Sequence, residues 1–106
     1  MEIRKFSQEN WERCEKAFDR DCHSIEFFMI AIPGEVGEAC NYFKKILRGD
    51  FGMTDSSRAH LIEELADVIT YCDLAIHKLG GSTEDALIQK FNTVSARRGY
   101  PVVLSK

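Results

Sequence analysis

The sequence has no apolar stretch approaching the ~20 residues that a membrane-spanning helix needs, the longest running from Phe27 to Pro33, so no membrane partner is expected. Its four cysteines, Cys14, Cys22, Cys40 and Cys72, form no C-x-x-C pair and lack the paired-ligand spacing of zinc modules. No apolar signal-peptide core follows Met1-Glu2-Ile3-Arg4-Lys5, and the chain reads as cytoplasmic. Basic residues are also scarce: 14 Lys and Arg face 17 Asp and Glu, a net charge of −3. A general nucleic-acid surface is therefore not expected. A phosphate-rich substrate would need divalent metal, or a local gathering of the few cations, to approach such a chain. With 44% hydrophobic and 29% charged residues, the 106 residues suit one globular domain spanning 1–106.

Prolines number only two, Pro33 and Pro101, which leaves long segments free to be helical. Trp11, Cys14 and Phe18 recur at spacings of three and four, predicting a first helix over about Ser7 to Arg20 with Ser7 as a capping residue. Phe28, Ala31, Ile32, Val36, Ala39, Tyr42, Phe43 and Ile46 form the apolar stripe of a second helix over Ser24 to Leu47. Pro33 should kink or break it, because proline lacks the amide donor and crowds the preceding turn. Arg48-Gly49-Asp50-Phe51-Gly52 is a turn, after which Asp55 or Ser56 should cap a third helix ending near Leu79. Gly80-Gly81 closes that helix, and Ser82-Thr83-Glu84-Asp85 opens a fourth that reaches roughly Ala96, followed by an extended tail from Val102 to Lys106. The expected fold is all-α, a four-helix bundle-like arrangement around a central antiparallel hairpin. A domain this small and elongated leaves apolar helix faces over, so oligomerisation is expected to complete it.

Two acidic pairs stand out. Glu35 and Glu38 lie at i and i+3 on the second helix; Glu64 and Asp67 repeat that spacing on the third, with Glu63 one position ahead. Glu38 comes nine residues before Leu47, and Glu64 nine after Asp55. At ~1.5 Å per residue, both pairs would sit about 14 Å from the connecting turn and face each other across an antiparallel hairpin. Carboxylates brought that close repel unless a proton or cation compensates, and an all-oxygen site suits Mg2+, with Mn2+ as substitute. Acidic pairs at this spacing are ordinary solvated helix surface when they occur singly. Two at matched levels among apolar residues favour convergence.

The strings Gly34-Glu35-Val36-Gly37-Glu38-Ala39 and Glu63-Glu64-Leu65-Ala66-Asp67-Val68-Ile69 resemble the E-x-x-E and E-x-x-D signature of the MazG-like all-α nucleoside triphosphate pyrophosphatases. The similarity covers roughly residues 23 to 101, with Gly34 in the place that an additional acid occupies in the fuller form of the motif, as in the dCTP pyrophosphatase branch. That resemblance implies a MazG fold and Mg2+ ligation by Glu35, Glu38, Glu64 and Asp67. It also implies hydrolysis of a nucleoside triphosphate to monophosphate and pyrophosphate, in the manner of nucleotide-pool cleansing, by a homodimer or a tetramer built from dimers. Lys90 and Asn92 would approach the phosphates, with Arg97 and Arg98 as further cations, and His23 stands where the family places a base-pocket histidine. Glu35 or Glu38 would orient or deprotonate the attacking water. Trp11, Phe27, Phe28, Tyr42 and Tyr71 are the aromatics available for base stacking, although core packing claims most of them.

Competing readings follow from the same residues. A di-iron bundle would require Glu-x-x-His motifs, and none occurs. A non-catalytic helical interaction module would leave the acids as solvated surface, and phosphoribosyl-ATP pyrophosphatase-like chemistry is a variant within the resemblance. His60 and His77 read as surface or rim residues.

Overall fold

A computed structural model describes residues 2–17 and 23–106. These residues form four α-helices and no strand: α1 (Ile3–Ala17), α2 (Ile25–Arg48), α3 (Asp55–Lys78) and α4 (Thr83–Arg98). The all-α class and the central hairpin are as the periodicity predicts. The predicted end of the first helix, together with Phe18 and Cys22, lies outside the described residues.

Local chemistry sets the helix boundaries. Ser24 caps α2 by accepting the Phe27 amide, Thr54 caps α3 by accepting that of Ser57, and Ser82 caps α4 by accepting that of Asp85. The cap of α3 thus falls one residue before Asp55 and two before Ser56, the expected candidates, and the Ser57 hydroxyl ties the same turn to the preceding loop by donating to the Gly52 carbonyl at 2.7 Å. At the far end of α2, Gly49 adopts φ 90° and returns amides to the Ile46 and Lys45 carbonyls through Gly49 and Asp50. This glycine-terminated closure makes the sharp turn between the two acid-bearing helices possible.

Two details differ. Helix α1 begins at Ile3, ahead of Ser7, whose hydroxyl does not cap but donates to Asp73 at 2.5 Å. Of the kink or break expected at Pro33, the break does not occur: α2 is one helix from Ile25 to Arg48. The missing amide leaves the Met29 carbonyl without its i+4 donor, but Met29 and Pro33 are both exposed, where water can take its place.

Helices α2 and α3 pack together along their lengths, α1 docks on α3, and α4 rests on α1 and, to a lesser extent, on α3. The hairpin is antiparallel: Phe27 of α2 meets Tyr71 of α3 with ring centroids 6.3 Å apart, while Tyr42, further along α2, meets His60, earlier on α3, at 4.0 Å. A small core of Cys14, Phe28, Leu74 and Ala75 joins α1, α2 and α3, with Trp11, Ile25, Phe27, Ile32 and Tyr71 packed around it. Asp73, 1% exposed, sits beside this core. It accepts hydrogen bonds from Ser7 and from Asn10 (2.8 Å) of α1, and from Thr83 at the start of α4. One buried carboxylate therefore ties three helices together.

The molecule is open. Its radius of gyration is 16.5 Å, against about 13 Å for a compact domain of this length. Much of the apolar stripe that periodicity assigns to a core remains uncovered: Leu65 is 55% and Ile69 62% exposed, with Val36 and Phe43 of α2 also open to solvent. No helix among the described residues is long and apolar enough to cross a membrane.

Candidate metal centre on the α2–α3 hairpin

Because α2 and α3 run antiparallel in the register set by their short turn, their acids meet. Carboxylate oxygens of Glu35, Glu64 and Asp67 lie within 4.8 Å of one another. Glu35 and Glu64 are partly buried and Asp67 is exposed. Glu38, also exposed, lies outside that triplet, although its charge bears on both Glu35 and Glu64. Glu63 is exposed and outside the group.

Electrostatics there are unfavourable for an apo protein. Partial burial, then the negative charges of Glu38, Asp67 and Glu64, hold the Glu35 carboxyl above its ordinary range. Glu64 is raised by partial burial and by Glu38 and Asp67, with His60 pulling the other way. Among the described residues no lysine or arginine pairs with any of the four acids. Arg48, at the hairpin turn, is engaged with Asp50 at 2.5 Å. One oxygen of Glu64, Oε2, is buried and has no hydrogen-bond partner. Three convergent carboxylates with an orphaned oxygen and elevated proton affinity fit a hard divalent cation, which takes oxygen ligands and replaces the proton.

The remaining predicted site residues stand elsewhere. His23 precedes the Ser24 cap, with its ring 6.3 Å from Trp11; a helix rise of ~1.5 Å per residue separates it from Glu35 by about 18 Å along α2. Lys90, Asn92, Arg97 and Arg98 are on α4, which has no contact with α2 in the same chain. The Asn92 side-chain amide donates to the Leu104 carbonyl at 2.9 Å and accepts the Leu104 amide at 2.8 Å, so it clasps the C-terminal tail. Lys90, Arg97 and Arg98 are exposed.

Two features escaped the sequence reading. Asp73 was detectable in principle, as an acid set in the apolar run Tyr71-Cys72-Asp73-Leu74-Ala75 where a solvated carboxylate has no room. Beside it, α1 and the α3–α4 turn enclose a cleft of about 410 Å³ whose lining includes Arg4, Ser7, Trp11, Asp73, His77 and Thr83. The other feature is His60, whose Nε2 lies 3.6 Å from Glu64 Oε1. Its i, i+4 spacing to Glu64 was visible, but its partner on α2 was not.

An all-α protein with an acid-bearing helical hairpin is thus the class that fold and site define. No protein-family model matches the sequence. The chain is 32% identical over 87 residues to the Gene 37 protein of Mycobacterium phage L5, an alignment covering 78% of this chain and 76% of that protein. It belongs to the family of that phage protein.

Proposed function

We propose that the chain is a Mg2+-dependent, MazG-like nucleoside triphosphate pyrophosphohydrolase, releasing nucleoside monophosphate and pyrophosphate. The observation that carries this reading is the approach of Glu35, Glu64 and Asp67 oxygens to within 4.8 Å on two facing helices, at the positions of the E-x-x-E and E-x-x-D motifs. Glu35, Glu64 and Asp67 would hold the ion, and Glu38, one helical turn from Glu35, would join them by a change of rotamer. The chemistry such an ion would supply when held by these residues is charge compensation for the triphosphate and the pyrophosphate leaving group. Mn2+ would substitute through the same oxygen chemistry.

The chain's own groups then have two tasks. A carboxylate of Glu35 or Glu38 orients water toward the α-phosphorus and accepts its proton, as the bond between the α-phosphorus and the bridging oxygen breaks. Cationic contacts to the phosphates are the second need. Lys90 and Arg98 lie on α4, which does not touch α2 within the chain, and in this reading a second copy brings such cations to the phosphates. Exposed Val36, Leu65 and Ile69 flank the acids and give that copy an apolar surface to cover. The working protein in this reading is a homodimer or a tetramer of dimers.

The test is a panel of nucleoside triphosphates with Mg2+, scored for pyrophosphate against orthophosphate. Pyrophosphate with monophosphate supports the assignment. Orthophosphate with diphosphate indicates another hydrolase, and no turnover of any triphosphate leaves a helical interaction module that uses the exposed apolar faces.

A further inference from the structure

We propose that His60 is a positioning residue for Glu64, holding one carboxylate oxygen so that the other is presented to the cation. The inference rests on the acids binding metal, as proposed above. Its basis is a contrast between the two oxygens of one side chain. Glu64 Oε1 faces His60 Nε2 at 3.6 Å, whereas Glu64 Oε2 is buried and has no partner. One oxygen of the carboxylate thus has a nitrogen within reach of a small rotation, and the other has no such donor.

The imidazole is itself held from outside its own helix. His60 stacks on Tyr42 of α2 with ring centroids 4.0 Å apart and planes 33° from parallel. Tyr42 in turn lies 4.9 Å from Phe51 in the α2–α3 turn. Two aromatic rings, Tyr42 of α2 and Phe51 of the turn, thus form a platform at the turn side of the acids, and it holds the imidazole on the face that Glu64 shares at i, i+4. At 3.6 Å the pair is longer than a hydrogen bond, and a small rotation of Glu64 on ion binding would close it. A neutral imidazole with its proton on Nε2 is sufficient as donor, so no change of charge is needed. Partners of this kind fix the orientation of a metal-ligating side chain, and their loss typically weakens metal affinity about 10–100-fold.

The test uses the full-length chain and Mn2+ as the probe, with binding followed by water-proton relaxation and Mg2+ as competitor. His60→Phe keeps the stacking on Tyr42 but removes the donor; His60→Gln keeps a donor. Glu64→Gln is the control for the site itself. The expected result is Mn2+ affinity lowered about tenfold or more in His60→Phe, restored to within a few-fold in His60→Gln, with the metal-free melting temperatures of both close to the wild type. Equal affinity in His60→Phe and wild type overturns the inference while leaving the metal site in place. Equal weakening in both His60 variants also overturns it, since packing alone would then explain the loss. If wild type binds no Mn2+, or Glu64→Gln binds it as well as wild type does, the metal reading of this cluster falls first and the role of His60 with it.

Discussion

Replacing Asp73 by alanine removes the acceptor on which Ser7, Asn10 and Thr83 converge. Asn10 is 4% exposed and retains only its 3.0 Å bond to the Thr70 carbonyl. Its second N–H is left buried and unpaired, at a cost of about 1–3 kcal/mol. Ser7 and Thr83 border the 410 Å³ cleft, where water can replace the lost acceptor, so each loses nearer to ~1 kcal/mol. The expected destabilisation is about 3–5 kcal/mol, a large share of the ~5–15 kcal/mol that holds a domain of this kind together. With an unfolding entropy of roughly 2.1 cal/mol/K per residue, the melting temperature should fall by about 13–22 °C. Asp73→Asn can keep its amide oxygen as acceptor for Asn10 and turn its NH2 to the Ser7 and Thr83 hydroxyls, which accept as well as donate, so at most about half that loss is expected. Far-UV circular dichroism, at one fixed protein concentration because assembly would shift the midpoint, measures both variants. A loss below ~1 kcal/mol in the alanine variant would mean that the carboxylate does not carry the junction of α1, α3 and α4, and the reasoning fails.

Further outcomes follow from the acids and the tail. Glu35 is held above the usual carboxylate range, so the folded state binds its proton more tightly than the unfolded chain does. Its contribution to stability is therefore greatest below the unfolded value and is lost as pH rises through the folded one. Without divalent metal, Glu35→Gln should melt a few degrees above wild type at neutral pH, a gain that disappears in acid; a constant difference across pH refutes the electrostatic account. Glu38→Gln should retain the helical spectrum and lose pyrophosphate release by at least about a hundredfold in the triphosphate assay; near-normal turnover removes Glu38 from the mechanism. Asn92→Ala should free the tail to carboxypeptidase digestion while lowering the melting temperature only a few degrees, because the bonds it makes to Leu104 are solvent-exposed; unchanged protection shows that the tail is held by other contacts.

Helix existence and type were legible in the linear chain because they depend on short-range chemistry. Apolar residues at helical spacing, Ser24 and Ser82 at starts, and Gly49, Gly80 and Gly99 at ends act through neighbours a few positions away. The level of the two acidic pairs was legible for the same reason, since a tight turn and a fixed rise per residue leave one antiparallel register. Pro33 shows the limit. Its local penalty is real, but packing of α2 along α3 carries the helix through it.

What only the tertiary structure decided is which side chains act together across helices. Ser7 looked like a cap and proved to be a donor to a carboxylate 66 positions away. Asn92 is drawn to a returning tail, and His60 is braced by a tyrosine of the opposing helix. The apolar stripe of α3 was plain in the sequence, yet Leu65 and Ile69 remain open. Periodicity marks a face as apolar, but it does not specify what covers it. That is determined by the relative placement of whole helices, which depends on the sum of many distant contacts.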